Sequence, residues 1–433
     1  MMDRYRNVAK KIIESSKADH TEVFFYRIKE DNTRFGESRI TQNMSKDVTS
    51  VTVQVHFGKK KGSVTLTLND DIKVEEILRR ANDIAKSNVE DPEYLPPVER
   101  QDIPIISRAV SDTENLLPVV KTEALRRIFD DARKENLRVA GLFTNGRYEY
   151  SIFNTNGFET YYDTTMASFS TTVQTETSSG YAKDQSENIK DLKPEEIYEV
   201  AKEKAIKGQK PRDLDPGLYD VILEPIAVAD FVDFMIFEMQ ARGADEGRTF
   251  FTGKQGQKIF DERVTIYSDP FSELNPSIPF DNEGVAIKRI NWVNKGVLEN
   301  LYYDRFWAHK NGRKPTGMPF LGLIFEDSSK SIDELIKKVN RGLLVTRFWY
   351  IRFVERKTIT LTGMTRDGLF YVEDGEIKYP VKNFRFNESP SRVLANIIEI
   401  GKGRRVVGEE MSFATYMPAL LVKDFNFASK TEF

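Results

Sequence analysis

Hydrophobic and polar positions along this chain change period several times, and each change predicts a new element. The opening stretch, MDRYRNVAKKIIESSK, places Val8, Ile12 and Ile13 on one helical stripe. VFFYRIKEDNTRFGESRITQN reads as a strand and turn, and beyond it Val51, Val53, Val55 and Phe57 alternate with polar residues. The return strand carries Val64, Leu66 and Leu68, so the GKKKG loop between the two runs predicts a hairpin with a solvated lysine tip. VEEILRRANDIAKSN regains helical spacing through Ile77, Leu78, Ala81, Ile84 and Ala85. Residues 90–104, EDPEYLPPVERQDIP, lose all periodicity and read as a polar, proline-rich linker where the first domain can be subdivided.

The helical stretch TEALRRIFDDARKENL leads into a second strand-rich region, in which Asn145-Gly146 and Asn156-Gly157 mark tight turns. MASFSTTVQTETSSGYA alternates as one long strand. Pro194 suits the first turn of a helix that Gly208 ends. Residues 209–217, QKPRDLDPG, break the pattern again and set the expected boundary between an N-terminal domain, 1–213, and a C-terminal domain, 214–433. The second half opens with the strand YDVILEP and a helix expected over Phe231–Arg242. FWYIRFVERKTITLTGMTRDGLFYVEDGEIKYPV is strongly β, with Asp374-Gly375 as a hairpin turn; PSRVLANIIEIG reads as a helix and PALLVKDFNF as a closing strand. Strands dominate without regular βαβ alternation, which argues for an α+β, two-domain, strand-rich fold.

Composition narrows the function classes. The 433 residues are 39% hydrophobic and 30% charged, with a net charge of -3, so neither a disordered chain nor a nucleic-acid groove is indicated. No apolar run approaches the ~18 residues of a membrane span, and the N-terminus lacks a signal peptide's apolar segment, so a cytoplasmic setting is expected. The absence of cysteine removes disulfides, thiolate nucleophiles and thiolate metal ligands together. His20, His56 and His309 are the only histidines, far apart in sequence, and each reads as an ordinary surface or strand residue. There is no P-loop, no dinucleotide fingerprint and no GxSxG elbow. Gly243, Gly247, Gly253 and Gly256 resemble a phosphate cradle only in number, because phenylalanines stand where exposed amides are needed.

Five segments together resemble the TldD/PmbA family, whose members have been described as modulators of DNA gyrase. They are RFGESRITQN (34–43), the NTNG turn with ASFSTTVQTETSSG (154–180), GRTFFTGKQGQKI (247–259), NLYYDRFWAHKNGRKPTG (300–317) and TRDGLFYVEDGEIKYPVKNFRFNESP (365–390). The resemblance implies an α+β fold and a peptide-cleaving metalloprotease complex. In the TldD branch, a His-Glu-x-x-x-His helix and a late cysteine hold zinc, with the glutamate as general base. On this sequence that motif falls at Phe237, Glu238 and Arg242, so only the glutamate remains. The pattern is similar to the PmbA (TldE) branch, which lacks the zinc motif and pairs with a metal-bearing TldD subunit. It implies no metal and no cofactor on this chain.

The residues themselves leave alternatives. Glu238 reads as an ion-pair partner of Arg242, one turn on, which would lower its pKa, or as a residual general base. Asp245 and Glu246 form a carboxylate cluster with Glu238, or a loop balanced by Arg242 and Arg248. RFWYIRF (347–353), with Arg347, Trp349 and Arg352, alternates aromatic and basic residues, as a buried strand face, a peptide groove or a subunit interface would. Phe306, Trp307, Phe348, Trp349 and Tyr350 are expected to be partly outward, covered by a dimer contact. The functional expectation is therefore a metal-free partner subunit, as a heterodimer with a TldD-like zinc-bearing chain or as a homodimer. The alternatives are a standalone homodimeric peptide-binding scaffold and a metal-independent hydrolase using Glu238 with Asp245 or Glu246.

Overall fold

The computed structural model describes residues 2–68 and 73–431. The first half holds strands β1 (His20–Gly36), β2 (Arg39–Phe57), β3 (Lys60–Thr67), β4 (Ile106–Arg108), β5 (Arg138–Asn154), β6 (Glu159–Gln174) and β7 (Ser179–Ser186). Its helices are α1 (Met2–Ser15), α2 (Val74–Ser87), α3 (Ser111–Glu114), α4 (Pro118–Lys134) and α5 (Pro194–Lys207). The strands form one sheet in the order β3-β2-β1-β5-β6-β4, with β7 also paired to β6.

Two αβββα units, α1-β1-β2-β3-α2 and α4-β5-β6-β7-α5, meet along the antiparallel β1–β5 pair. Each unit lays its last helix on its last strand at a glycine. A Cβ on Gly62 would sit 2.0 Å from the Ala81 carbonyl, and one on Gly180 2.1 Å from that of Ala201. The apolar set Tyr5, Val23, Phe25, Val53 and Leu78 packs one end of the sheet, and Phe35, Leu125, Phe143, Phe169 and Tyr198 pack the other. Between them lies a buried charged band, in which Arg27 pairs with Glu149 at 2.7 Å and Arg147 with Asp163 at 2.5 Å. Because side chains alternate along a strand, Arg27 and Glu149 share the core face with Phe25 and Phe143.

The second half holds β8 (Gly217–Leu223), β9 (Ile266–Ser268), β10 (Ile290–Asn294), β11 (Val297–Leu298), β12 (Leu323–Phe325), β13 (Arg341–Glu355), β14 (Thr360–Glu373), β15 (Glu376–Pro380), β16 (Phe384–Glu388), β17 (Ile397–Val407) and β18 (Ala414–Lys430). Its helices are α6 (Pro225–Phe237), α7 (Ala241–Asp245), α8 (Arg305–Lys310), α9 (Ile332–Ile336) and α10 (Pro390–Ala395). The order is β11-β10-β9-β12-β18-β16-β14-β13-β8, and β8 also pairs with β18, closing a circuit β8-β13-β14-β16-β18. Every residue of α6 from Pro225 to Ile236 is buried, as expected of a helix that is apolar on all faces. Among the described residues no helix is long and apolar enough to cross a membrane.

The mixed α+β architecture agrees with the sequence pattern, but several local expectations are corrected. Asn145-Gly146 is not a turn: both lie inside β5, Asn145 donates to the Thr113 carbonyl, and a Cβ on Gly146 would come within 2.5 Å of the Lys29 carbonyl. The hairpin after Phe57 turns at Gly58-Lys59 alone, and the remaining lysines belong to β3. MASFSTTVQTETSSGYA is two strands, because residues 175–178 turn the chain from β6 into β7. PSRVLANIIEIG is helical only as α10, and Ile397 already begins β17. Residues 90–104 carry no helix or strand, yet they are fastened to both halves. Asn154 donates to the Val98 carbonyl at 2.8 Å, and Gln101 to the Gly284 carbonyl at 2.7 Å.

Candidate functional site

The helix expected over Phe231–Arg242 starts earlier and breaks sooner. Pro225 opens α6, and Phe237 is its last residue. The break has a tertiary cause: Met239 and Ala241 exchange backbone hydrogen bonds of 2.8 Å with Tyr302, which pulls the chain out of helical geometry before α7 begins. Arg242 therefore sits on α7, beyond the break, whereas Glu238 caps the end of α6. It pairs with Glu93 at 2.9 Å and Glu246 at 3.3 Å, and lies over the Trp307 ring.

Glu238 is buried and pairs with Arg356, not with Arg242. Burial raises its carboxyl above the usual range, against the opposing pull of Arg356, so the expected lowering is also corrected. Phe237 is 41% exposed, and its ring offers no donor to a metal. Asp245 accepts from the Trp307 indole at 2.7 Å, and Glu246 is held between Arg242 and Arg248. The carboxylate cluster of Glu238 with Asp245 and Glu246 is thus split among separate partners. His20 and His56 stand opposite each other in the β1–β2 register, while His309 lies on α8. No three His, Cys, Asp or Glu side chains gather as a metal site among the described residues. The residues at the expected zinc-motif positions do not fit a zinc ion.

The strand RFWYIRF does not alternate as expected. β13 bulges between Trp349 and Arg352, and Tyr350 takes a left-handed φ of 56°, an unusual conformation for a bulky side chain. Trp349 and Tyr350 are exposed in succession, whereas Phe348 is fully buried. Trp307 is core as well, and Phe306 is partly buried against the same core, so these residues do not share the outward set. Guanidinium groups cover the exposed rings: Arg366 over Trp349 at 4.7 Å and Arg352 over Tyr350 at 4.2 Å. Arg352 also pairs with Glu410 at 3.0 Å. Arg347 turns inward, buried against Asp367, with Tyr181 from the first half stacked at 4.2 Å. Ser179 donates to Asp367 at 2.5 Å and Tyr181 to Glu409 at 2.7 Å, so this polar cluster clasps the two halves together.

Beside the clasp a cleft of 660 Å³ opens between the halves, lined by Lys183, Lys204, Glu224, Ile226, Asp333 and Arg404. Lys204 and Glu224 bridge it at 2.7 Å. Two further acids belong to no sequence motif. Asp230 and Asp233 on α6 are completely buried, although both stand out as charges within the apolar run AVADFVDFMIF. Burial pushes the Asp230 carboxyl up to about 8, and Asp233 is raised well above its ordinary value by burial and by Asp230.

Comparison with known proteins follows the same lines. The pattern of the PmbA/TldA metallopeptidase C-terminal domain matches residues 216–429, and that of the PmbA/TldA central domain matches residues 112–209. Metalloprotease PmbA of Escherichia coli O157:H7 is 24% identical over 389 residues, covering 86% of this chain and 84% of its own. A metalloprotease of Methanothermobacter thermautotrophicus is 28% identical over half of each chain. The crystal structure of TldE from Thermococcus kodakarensis superposes with a TM-score of 0.87 over 98% of this chain and 99% of its own, at 19% identity. The chain belongs to the PmbA/TldD metallopeptidase family.

Proposed function

We propose that this chain is the metal-free, TldE/PmbA-like subunit of a two-subunit, cytoplasmic metalloprotease that acts on peptides. One observation carries the reading. Of the three positions where the resemblance places the zinc motif, one holds a phenylalanine, and the other two hold side chains committed to ion pairs, Glu238 with Arg356 and Arg242 with Glu93 and Glu246. A carboxylate already neutralised by a guanidinium, with no metal-bound water to deprotonate, is poorly placed as a general base. Its part would be to shape the chamber and dock a zinc-bearing TldD-like chain. The exposed Trp349 and Tyr350, each under an arginine, have the composition that interfaces favour.

A second reading, a homodimeric peptide-binding scaffold without hydrolytic activity, is favoured by the cleft between the halves. Its walls carry both charge signs beside apolar Ile197, Val200 and Ile226, a mixture suited to a peptide. Co-expression with a TldD-like chain bearing an intact His-Glu-x-x-x-His motif separates the two. The subunit reading predicts a stable mixed complex that cleaves unfolded peptides in a zinc-dependent way, while the isolated chain neither cleaves nor retains zinc. Failure to form any mixed complex, together with peptide binding by the isolated dimer, would establish the scaffold instead.

A further inference from the structure

Asp230 and Asp233 lie one turn apart on a helix with no exposed residue before Phe237. Neither carboxyl forms an ion pair among the described residues, and three of their four oxygens, Asp230 Oδ2 and both of Asp233, have no hydrogen-bond partner. The remaining oxygen, Asp230 Oδ1, accepts from the backbone amides of Glu409 at 2.8 Å and Glu410 at 3.2 Å. Gly408 permits this approach, because a Cβ there would stand 2.8 Å from Asp230 Oδ1 and 3.1 Å from Asp233 Oδ2.

The charged side chains facing the pair are acidic. Glu409 and Glu410, from the loop between β17 and β18, both act on Asp230, and Asp230 acts on Asp233. Cations on the packed elements are engaged elsewhere: Arg347 of β13 with Asp367, Arg392 of α10 with Glu388, and Arg405 of β17 with Asn275. Lys423 of β18 is largely exposed. On β8, Asp220 accepts from the Asp424 amide. Two adjacent carboxylates cannot both be ionised in such surroundings without a compensating cation.

The loop they hold makes some of the contacts that join the halves. The Glu409 carboxylate accepts from Tyr181 at 2.7 Å and lies 3.4 Å from Lys183, both in β7, and 3.7 Å from Arg347. Glu410 accepts from the Ile351 amide and from Arg352, each at 3.0 Å, and so fixes the bulged part of β13. We propose that Asp230 and Asp233 form a proton-loaded latch that pins residues 408–410, and through them the clasp between the halves, and that loss of their protons releases the loop. Ionisation would place negative charge under Glu409 and Glu410, and the buried pair would gain most by drawing in water, for which the loop must lift. The bulge that exposes Trp349 and Tyr350 would loosen with it.

Hydrogen–deuterium exchange of the segment 408–413 in the full-length protein tests this, with β1 as the internal reference and rates corrected for the intrinsic effect of pH. Between pH 6.5 and 9.5 the wild-type loop should lose more than about tenfold in protection while β1 keeps its own, the behaviour of a local opening. Asp230→Asn, which keeps the acceptor oxygen, should hold the loop protected at pH 9.5. Wild-type protection that is unchanged to pH 9.5 would overturn the latch, and so would parallel loss in wild type and Asp230→Asn. Loss of protection at pH 7 on adding a chelator would also overturn it, because a bound cation would then be doing the work. The wild-type series decides the matter if the variant does not fold.

Discussion

Replacing Asp230 with asparagine should stabilise this protein, and the gain should grow with pH. Asp230 is fully buried, and its carboxyl is pushed from an ordinary 3.8 up to about 8. Between those two values the folded state holds a proton that the unfolded chain releases, so folding is penalised progressively as pH rises. At about 1.36 kcal/mol per pH unit, the penalty on Asp230 comes to roughly 4 kcal/mol at pH 7 and under about 2 kcal/mol at pH 5. Asparagine has nearly the same shape, keeps the oxygen that accepts from the Glu409 and Glu410 amides, and carries no proton to lose. Urea unfolding at pH 5 and pH 7 measures the difference. With a denaturant slope of about 3 kcal/mol per molar, the variant's midpoint should exceed wild type by a little over about 1 M at pH 7, and by about half that or less at pH 5. An equal gain at the two pH values, or a loss at both, would refute the argument that an unpaired buried proton site is being removed.

Other substitutions probe the remaining contacts. Arg356→Gln leaves the buried Glu238 without its cation, so it should cost about 1 kcal/mol at pH 8 and close to nothing at pH 4, where the carboxyl is protonated; thermal unfolding at the two pH values checks the sign. Arg347→Ala strips the buried Asp367 of its main partner and should destabilise by about 3–5 kcal/mol, with increased proteolysis between the halves as a second readout. Gly62→Ala and Gly180→Ala drive a methyl to 2.0 Å and 2.1 Å from a helix carbonyl, and each should lower stability by at least about 1–3 kcal/mol in chemical denaturation.

What the sequence revealed depended on how local the determining contact was. The alternation of Val51, Val53 and Val55 and the spacing of Ile77, Leu78 and Ala81 are local signals, and the elements carrying them form as expected. The end of α6 was hidden because its residues are apolar on every face, so periodicity cannot mark where it stops; Tyr302, distant in sequence, ends it. Asn145-Gly146 has the chemistry of a turn, but the pairing of β5 with both β1 and β6 overrides that preference. The partner of Glu238 is not legible in the sequence for a similar reason. Arg242 is close in sequence, whereas Arg356 arrives at the end of β13 through tertiary packing. The bulge at Tyr350 defeated a two-residue alternation that would otherwise have turned Trp349 and Tyr350 to opposite faces. Asp230 and Asp233 are visible as two charges in an otherwise apolar run, and only their lack of cationic partners among the described residues, seen in three dimensions, gives them meaning.

The central claim, that this chain supports a peptidase without supplying its catalytic group, is tested most directly by paired glutamate-to-glutamine substitutions in a reconstituted complex with a TldD-like chain. Peptide cleavage should stay within a few-fold of the parent when Glu238→Gln is made here, because that carboxylate is occupied by Arg356. It should fall by ~100-fold or more when the glutamate of the partner's His-Glu-x-x-x-His motif is changed, the usual cost of removing a general acid–base. A ~100-fold loss from Glu238→Gln in a complex that still assembles would contradict the claim and place catalysis on this chain.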